Sequence, residues 1–304
     1  MPSSQRIPQQ QQPRKITDAY KIFVLDNQSR RFTKATITTY RDRLEPFINW
    51  CPTQNAESLD EVTPSLIRLY LVALQERQLS DYTINGVARC IKTFFNFCVR
   101  EGLLAESPMK KVAMPKIDKR ILPALSVEDA QKLLKVCESE RDAAIVLFML
   151  DTGVRATELI NLNGGDIDQQ TGTVAVRQGK GRKDRVVYVG AKARKQLLRY
   201  YMRRGEPKAN EAVWLSEKSN ERLTTSGLRQ LLERLSEASG IKKCSPHTLR
   251  RTFALWSLRN GMSIYHLQRL MGHADITVLR IYLDLAQGDL QQAHSDFGAV
   301  DNLL

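Results

Sequence analysis

The chain has 304 residues, 42% hydrophobic and 26% charged, enough for about two domains of ~100–200 residues and too apolar for disorder throughout. Its 46 Lys+Arg against 33 Asp+Glu leave a net charge of +13, which points to a polyanionic partner. The longest apolar run, Ala143 to Leu150, is too short to span a bilayer, no signal peptide opens the chain, and the 5 cysteines show no C-x-x-C. These features exclude a helical membrane protein and suggest neither a disulfide framework nor a zinc site.

The basic excess is shared: residues 1–115 carry 16 basic and 11 acidic groups, and the remainder 30 and 22. A basic tail on a neutral body would not look like this. Purely structural nucleic-acid binders have the same balance, so charge names a partner and not a reaction. With reduced thiols and no signal peptide visible in the sequence, a cytoplasmic protein is expected.

Residues 1–15 are rich in Gln and Pro and are expected to be disordered. Residues 16–107 read as a helical domain. Thr33 can cap a helix carrying Ile37, Tyr40, Leu44 and Phe47, with Pro46 expected to kink it or end it early. Thr63 followed by Pro64 opens a helix with Leu66, Ile67, Leu69, Tyr70 and Leu74. Ser80 caps another, with Ile84, Val87, Ile91, Phe94, Phe95 and Cys98 on one side and Gly102 as its stop. The exposed bases of this helical bundle, among them Arg30, Arg31, Lys34, Arg41, Arg43, Arg89 and Lys92, can sit against phosphates or simply form a solvated face. Residues 108–124, with Pro108, Pro115 and Pro123 between lysines that include Lys110 and Lys111, read as an extended basic linker. Such a strap suits a DNA backbone or a plain hinge.

A second domain is expected over residues 125–304. Ser126 and Asp129 form a capping-box pattern ahead of helices at about 126–138 and 140–151. A break at Gly153 and a short helix at about 155–162 follow. Residues 173–178 and 185–189 alternate as strands joined by the turn GKGRKD, with a further short strand proposed at Val213 to Leu215 and helices beyond.

Phosphodiester cleavage without a metal needs fixed cations, a nucleophile, a proton acceptor and an acid for the leaving oxygen. Four segments of the second domain offer these groups: TGVRATEL with Arg155 and Glu158, QGKGRKDR with Lys180, SPHTLRRTFA with His247 and Arg250, and LMGHADITVLRIYLDL with His273 and Tyr282. His247 and Arg250 share one helix face by their i, i+3 spacing. Taken singly, each has a bland reading: a tyrosine in the core or at its rim, a structural histidine, a lysine in solvated charge. Gly-Lys-Gly does not complete a phosphate-binding loop, and no metal-ligand spacing is present.

In order and in context, however, the series Arg155, Lys180, His247, Arg250, His273, Tyr282 resembles the signature of the tyrosine recombinases, the phage integrase (Xer-like) family. The words TG-x-R-x-x-E-L, G-K-G-x-K-x-R, H-x-L-R-x-x-F-A and L-M-G-H followed nine residues later by Tyr all match. The resemblance implies a mainly α protein with a small antiparallel β-sheet in the second domain: an N-terminal SAM-like helical bundle that binds core DNA, and a C-terminal recombinase catalytic fold. It implies that Arg155 and Arg250 clamp the scissile phosphate and that Tyr282 forms a 3′-phosphotyrosyl link without metal, ATP or other cofactor. Lys180 would be the acid for the 5′-oxygen, His247 would accept a proton or orient the phosphate, His273 would add a hydrogen bond, and Glu158 would position Arg155. Arg251 follows Arg250 where many relatives have His, so either guanidinium can face the phosphate, with Arg250 favoured by its spacing from His247.

Weaker expectations place Arg41, Arg43, Arg89, Lys92, Lys110, Lys111, Lys183 and Arg251 on DNA. The resemblance implies as partner a double-stranded recombination site, bound by four protomers on two sites, with room for an accessory directionality or regulatory protein and no membrane. The expected setting is a prokaryotic cytoplasm or mobile element, near the nucleoid. Two other outcomes stay open: a type IB topoisomerase or telomere-resolvase-like activity, and a catalytically silent DNA-binding regulator on the same scaffold.

Overall fold

The computed structural model describes residues 15–117, 124–177 and 184–272. The chain divides into two compact units, Met1–Arg120 and Ile121–Leu304. The expected disordered tail, residues 118–123 of the linker, Lys180, Lys183, His273 and Tyr282 lie outside the described residues, except that Lys15 is described.

Four α-helices are found among the described residues of the first unit: α1 (Ile16–Ser29), α2 (Lys34–Trp50), α3 (Pro64–Glu76) and α4 (Asp81–Arg100). Three of them begin as the side chains dictate, with the hydroxyls of Thr33, Thr63 and Ser80 accepting from the backbone N–H of Thr36, Leu66 and Thr83. α4 is the spine. Its Ile84, Ile91, Phe94, Phe95 and Cys98 are buried, and Phe94 packs edge-on against Phe23 at 5.7 Å.

Two expectations are corrected in this unit. Pro46 neither ends nor shortens α2, which runs on to Trp50 with Phe47 and Ile48 buried beyond the proline. The loss of one N–H near a helix end is outweighed there by apolar burial. Residues 108–115, expected as the first half of an extended strap, are instead folded onto the unit. Pro108–Lys111 is a 3₁₀ turn, Met109 and Val112 join the core, and Arg68 and Asn85 donate to the carbonyls of Lys111 and Pro115 at 2.6 and 2.7 Å.

The second unit is built around α6 (Glu140–Thr152), with α5 (Val127–Lys135) before it and α7 (Ala156–Asn161) after it. Ser126 accepts from the Asp129 N–H at 3.0 Å, as a helix cap should. α8 (Ala191–Arg204), α9 (Thr225–Ser239), α10 (Pro246–Arg259) and α11 (Ile264–Met271) follow among its described residues. Strands β1 (Thr173–Val176) and β2 (Arg185–Tyr188) pair antiparallel, with Val174 opposite Val187 and Val176 opposite Arg185. The protein is therefore mainly helical with one two-stranded antiparallel sheet among the described residues.

The strand expected at Val213 to Leu215 is not one. This stretch makes only isolated bridges, at Ala212 with Asn163 and at Leu215 with Arg222. What holds it is Trp214, fully buried, stacked on Tyr200 at 5.7 Å and edge-on to Phe148 at 5.5 Å. No helix among the described residues is long and apolar enough to cross a membrane.

Candidate active site

The site assembles where four chain segments meet at the C-terminal end of α11. The last carbonyls of a helix have no partner within it and form the negative end of its dipole. Here three consecutive ones are taken by three arginines. Leu270 O accepts from Arg185 Nε at 2.6 Å, Met271 O from Arg250 Nη2 at 2.6 Å, and Gly272 O from Arg155 Nη2 at 3.1 Å. Gly272 closes the helix in the left-handed conformation, φ 62°. The residue that follows it in the chain is His273.

Each arginine reaches this point from a different element. Arg155 precedes the first turn of α7. Arg250 lies on α10, one turn after His247, and its Nη1 also donates to Gly153 O. Gly153 ends α6 at φ 61°, and a Cβ there would lie 2.2 Å from the Phe253 ring. Only glycine fits. The tight turn thus brings the Gly153 carbonyl under Arg250 and starts the run into Arg155.

Glu158 sits at the middle of the cluster and is buried. It accepts from the Arg155 backbone N–H at 2.7 Å and from Arg155 Nη1 at 2.8 Å. It also accepts both Nη groups of Arg185 at 2.8 Å each. Burial alone would raise its pKa. The Arg185 hydrogen bonds, the Arg155 N–H and the two positive charges overcome this and bring it down to about 2.

Arg155, His247 and Arg250 line one cleft of about 620 Å³, with Arg229, Lys242 and Lys243 on its walls. His247, in the first turn of α10, is solvent-accessible. Partial burial, then the charges of Arg251, Arg250, Arg155 and Arg229, hold its imidazole below the ordinary histidine range. At neutral pH it is a neutral acceptor facing a cationic cleft.

The residues expected from sequence are therefore distributed unevenly. Arg155, Glu158, His247 and Arg250 come together, whereas Lys180, His273 and Tyr282 fall outside the described residues. Of the adjacent pair, Arg250 lines the cleft and is buried, while Arg251 is half-buried and donates to Thr248 Oγ1. Among the DNA-contact expectations, Arg41, Arg89, Lys92, Lys110 and Lys111 are exposed. Arg43 is only half-exposed and lies across α4, where a Cβ on Gly86 would be 2.5 Å from its Nη1. The sequence reading assigned no role to Arg185, Arg229, Lys242 or Lys243. Arg185 was legible in principle, because strand alternation puts it on the face of buried Val187. No group of three or more metal-ligating side chains occurs among the described residues.

Comparison with known proteins identifies the family of the chain. Residues 123–288 match the Phage integrase family, and residues 27–102 match the phage integrase N-terminal SAM-like domain. Tyrosine recombinase XerC of Bacillus pumilus is 31% identical over 278 residues, 87% of this chain and 90% of that one. The crystal structure of XerA recombinase is 29% identical at a TM-score of 0.53, covering 92% of this chain and 99% of that one. The Tn1549 transposon integrase in complex with circular intermediate DNA superposes at a TM-score of 0.76 with 19% identity, covering 92% and 100%, and so shares the fold. The chain belongs to the phage integrase family of tyrosine recombinases.

Proposed function

We propose that this protein is a site-specific DNA recombinase that cuts and rejoins strands through a covalent 3′-phosphotyrosyl intermediate, needing neither metal nor ATP. The observation that carries the reading is the gathering of Arg155, His247 and Arg250 around one cationic cleft at the end of the helix that leads into His273. Recombinase relatives by name, XerC and XerA, favour strand exchange between sites over simple relaxation of DNA.

In the proposed reaction Arg155 and Arg250 hold the non-bridging oxygens of the scissile phosphate and stabilise the charge that develops at phosphorus. The Tyr282 oxygen attacks phosphorus. The new Tyr–O–P bond forms as the bond from phosphorus to the 5′-oxygen breaks. The phenolic proton passes to neutral His247, and Lys180 protonates the departing 5′-oxygen. His273 donates a hydrogen bond to the phosphate, and Glu158 positions Arg155. The phosphotyrosyl ester conserves the bond energy, so reversal with a different 5′-hydroxyl rejoins the strands. Four protomers on two double-stranded sites, two of them active at a time, would exchange both strand pairs, with the helical first unit and exposed cations such as Arg89 and Lys92 holding the duplex backbone.

The test uses a pool of nicked duplexes with randomised arms, in which a cut near the nick releases a short fragment and traps the adduct. Wild-type protein is expected to form adducts resistant to denaturant, from which the cleaved sequence is read, and EDTA is expected to leave their yield unchanged. Binding without any adduct would support a silent DNA-binding protein instead. Relaxation of plasmids lacking the captured sequence, with no exchange between sites, would support a topoisomerase.

A further inference from the structure

We propose that Arg185 is a positioning residue for the phosphate-holding arginines: its guanidinium fork grips Glu158 while its Nε holds the end of α11, and together these aim Arg155. The proposal rests on the reading of Arg155 and Arg250 as the groups that hold the scissile phosphate.

Arg185 opens β2 and lies on the core face of the sheet, opposite Val176. Its side chain is only 8% exposed, as is that of Glu158. All three of its guanidinium nitrogens are engaged, Nη1 and Nη2 on the two Glu158 oxygens at 2.8 Å and Nε on Leu270 O at 2.6 Å. One planar group thus joins three segments, with Glu158 27 positions and Leu270 85 positions away in the chain. Arg155 and Arg250 are among the residues that line the cleft, and Arg185 is not. It therefore acts through other groups. With Arg185 in place, the Glu158 carboxylate has one orientation in which its oxygens also receive the Arg155 N–H and Nη1. Without that fork, a buried carboxylate facing Arg155 alone is free to turn, and the Arg155 guanidinium turns with it. A lysine supplies the charge but not the fork, and cannot hold two carboxylate oxygens and a carbonyl at once.

The test compares Arg185→Lys, Arg185→Gln and Arg155→Ala with wild type on the captured duplex. The cleavage point is either a phosphodiester or a methylphosphonate, in which a neutral methyl group replaces one charged oxygen. Arg185→Lys is expected to fold and to bind DNA within about threefold of wild type. It should cleave the phosphodiester about 10- to 100-fold more slowly, as displaced catalytic groups do. On the methylphosphonate, which needs less cationic help, its deficit should shrink to about threefold, in parallel with relief of Arg155→Ala. A purely structural defect would slow both substrates equally. Wild-type cleavage by Arg185→Lys and Arg185→Gln overturns the proposal, and so does an equal deficit on both substrates while Arg155→Ala is relieved. Failure of both Arg185 variants to fold overturns it too, since the residue would then serve stability alone. If Arg155→Ala is itself not relieved, the phosphate-holding reading fails and the proposal falls with it.

Discussion

The two units use their cations in opposite ways. In the first, Arg41, Arg89 and Lys92 stand on solvent-exposed helix faces, and Arg30 and Arg100 share Asp26 at the surface. In the second, Arg185 and Arg250 are drawn inward and Arg155 is 27% exposed, all three fixed on the carbonyls of residues 270–272. An exposed cation meets a phosphate across screening solvent and is nearly interchangeable with its neighbours. A guanidinium already seated on carbonyls needs no rearrangement when charge develops beside it. In the proposed reaction the first kind of site would give affinity, and the second would give rate.

Substitutions should separate these two behaviours. The largest effect is expected at Arg250, where Ala should lower single-turnover cleavage about 10²- to 10³-fold while DNA binding changes little. A binding loss as large as the rate loss would erase the distinction between the units. Next is Gly153→Ala, which meets both a left-handed backbone and the Phe253 ring. It should lower stability by about 2–4 kcal/mol, read from urea unfolding, and trimming Phe253 to Leu should recover part of this.

Acid pH sharpens the comparison further. Glu158 is held at about 2 in the folded chain, below the ordinary carboxylate value of about 4.3. The unfolded chain therefore binds this proton first. The stability Glu158 contributes is present above the ordinary value and is lost as pH falls through about 2. Glu158→Gln should flatten that part of the urea midpoint against pH. His247 is shifted down as well, so kcat/KM should hold its plateau to below the ordinary histidine value of about 6.5 before its acid limb begins. An acid limb above that value would contradict a neutral His247 in the free protein. The smallest effects belong to the first unit: Arg89→Ala or Lys92→Ala should weaken binding a few-fold, with the slope of log K on log salt reduced by about 0.9 per cation.

Much of this was legible in the sequence because its causes are local. Thr33, Thr63, Ser80 and Ser126 cap helices with hydrogen bonds to N–H groups three residues ahead, so the signal and the structure occupy the same few residues. His247 and Arg250 share a face for the same reason. What was hidden depends on distant partners. Pro46 stays helical because Phe47 and Ile48 reach a core built by other helices. Residues 108–115 look like a linker by composition, and their attachment shows only once Met109 and Val112 are placed in the core and Arg68 and Asn85 are brought to their carbonyls. Arg185 ends the word G-K-G-x-K-x-R and shares a strand face with Val187, but what it holds emerges only when Glu158 and Leu270 are brought beside it. Arg43 reads as a free cation until Gly86 is placed under it.

Covalent attachment through Tyr282 is tested most directly by isolating the trapped protein–DNA adduct, digesting it with trypsin and nuclease, and finding the peptide that carries the nucleotide mass. Cleavage after Arg280 yields a peptide that starts at Ile281 and contains Tyr282 as its one tyrosine. That peptide should carry the nucleotide, and Tyr282→Phe protein should give no adduct. Nucleotide on a peptide holding Tyr188 or Tyr265, both exposed in the second unit, or an undiminished adduct from Tyr282→Phe, would contradict the proposed chemistry.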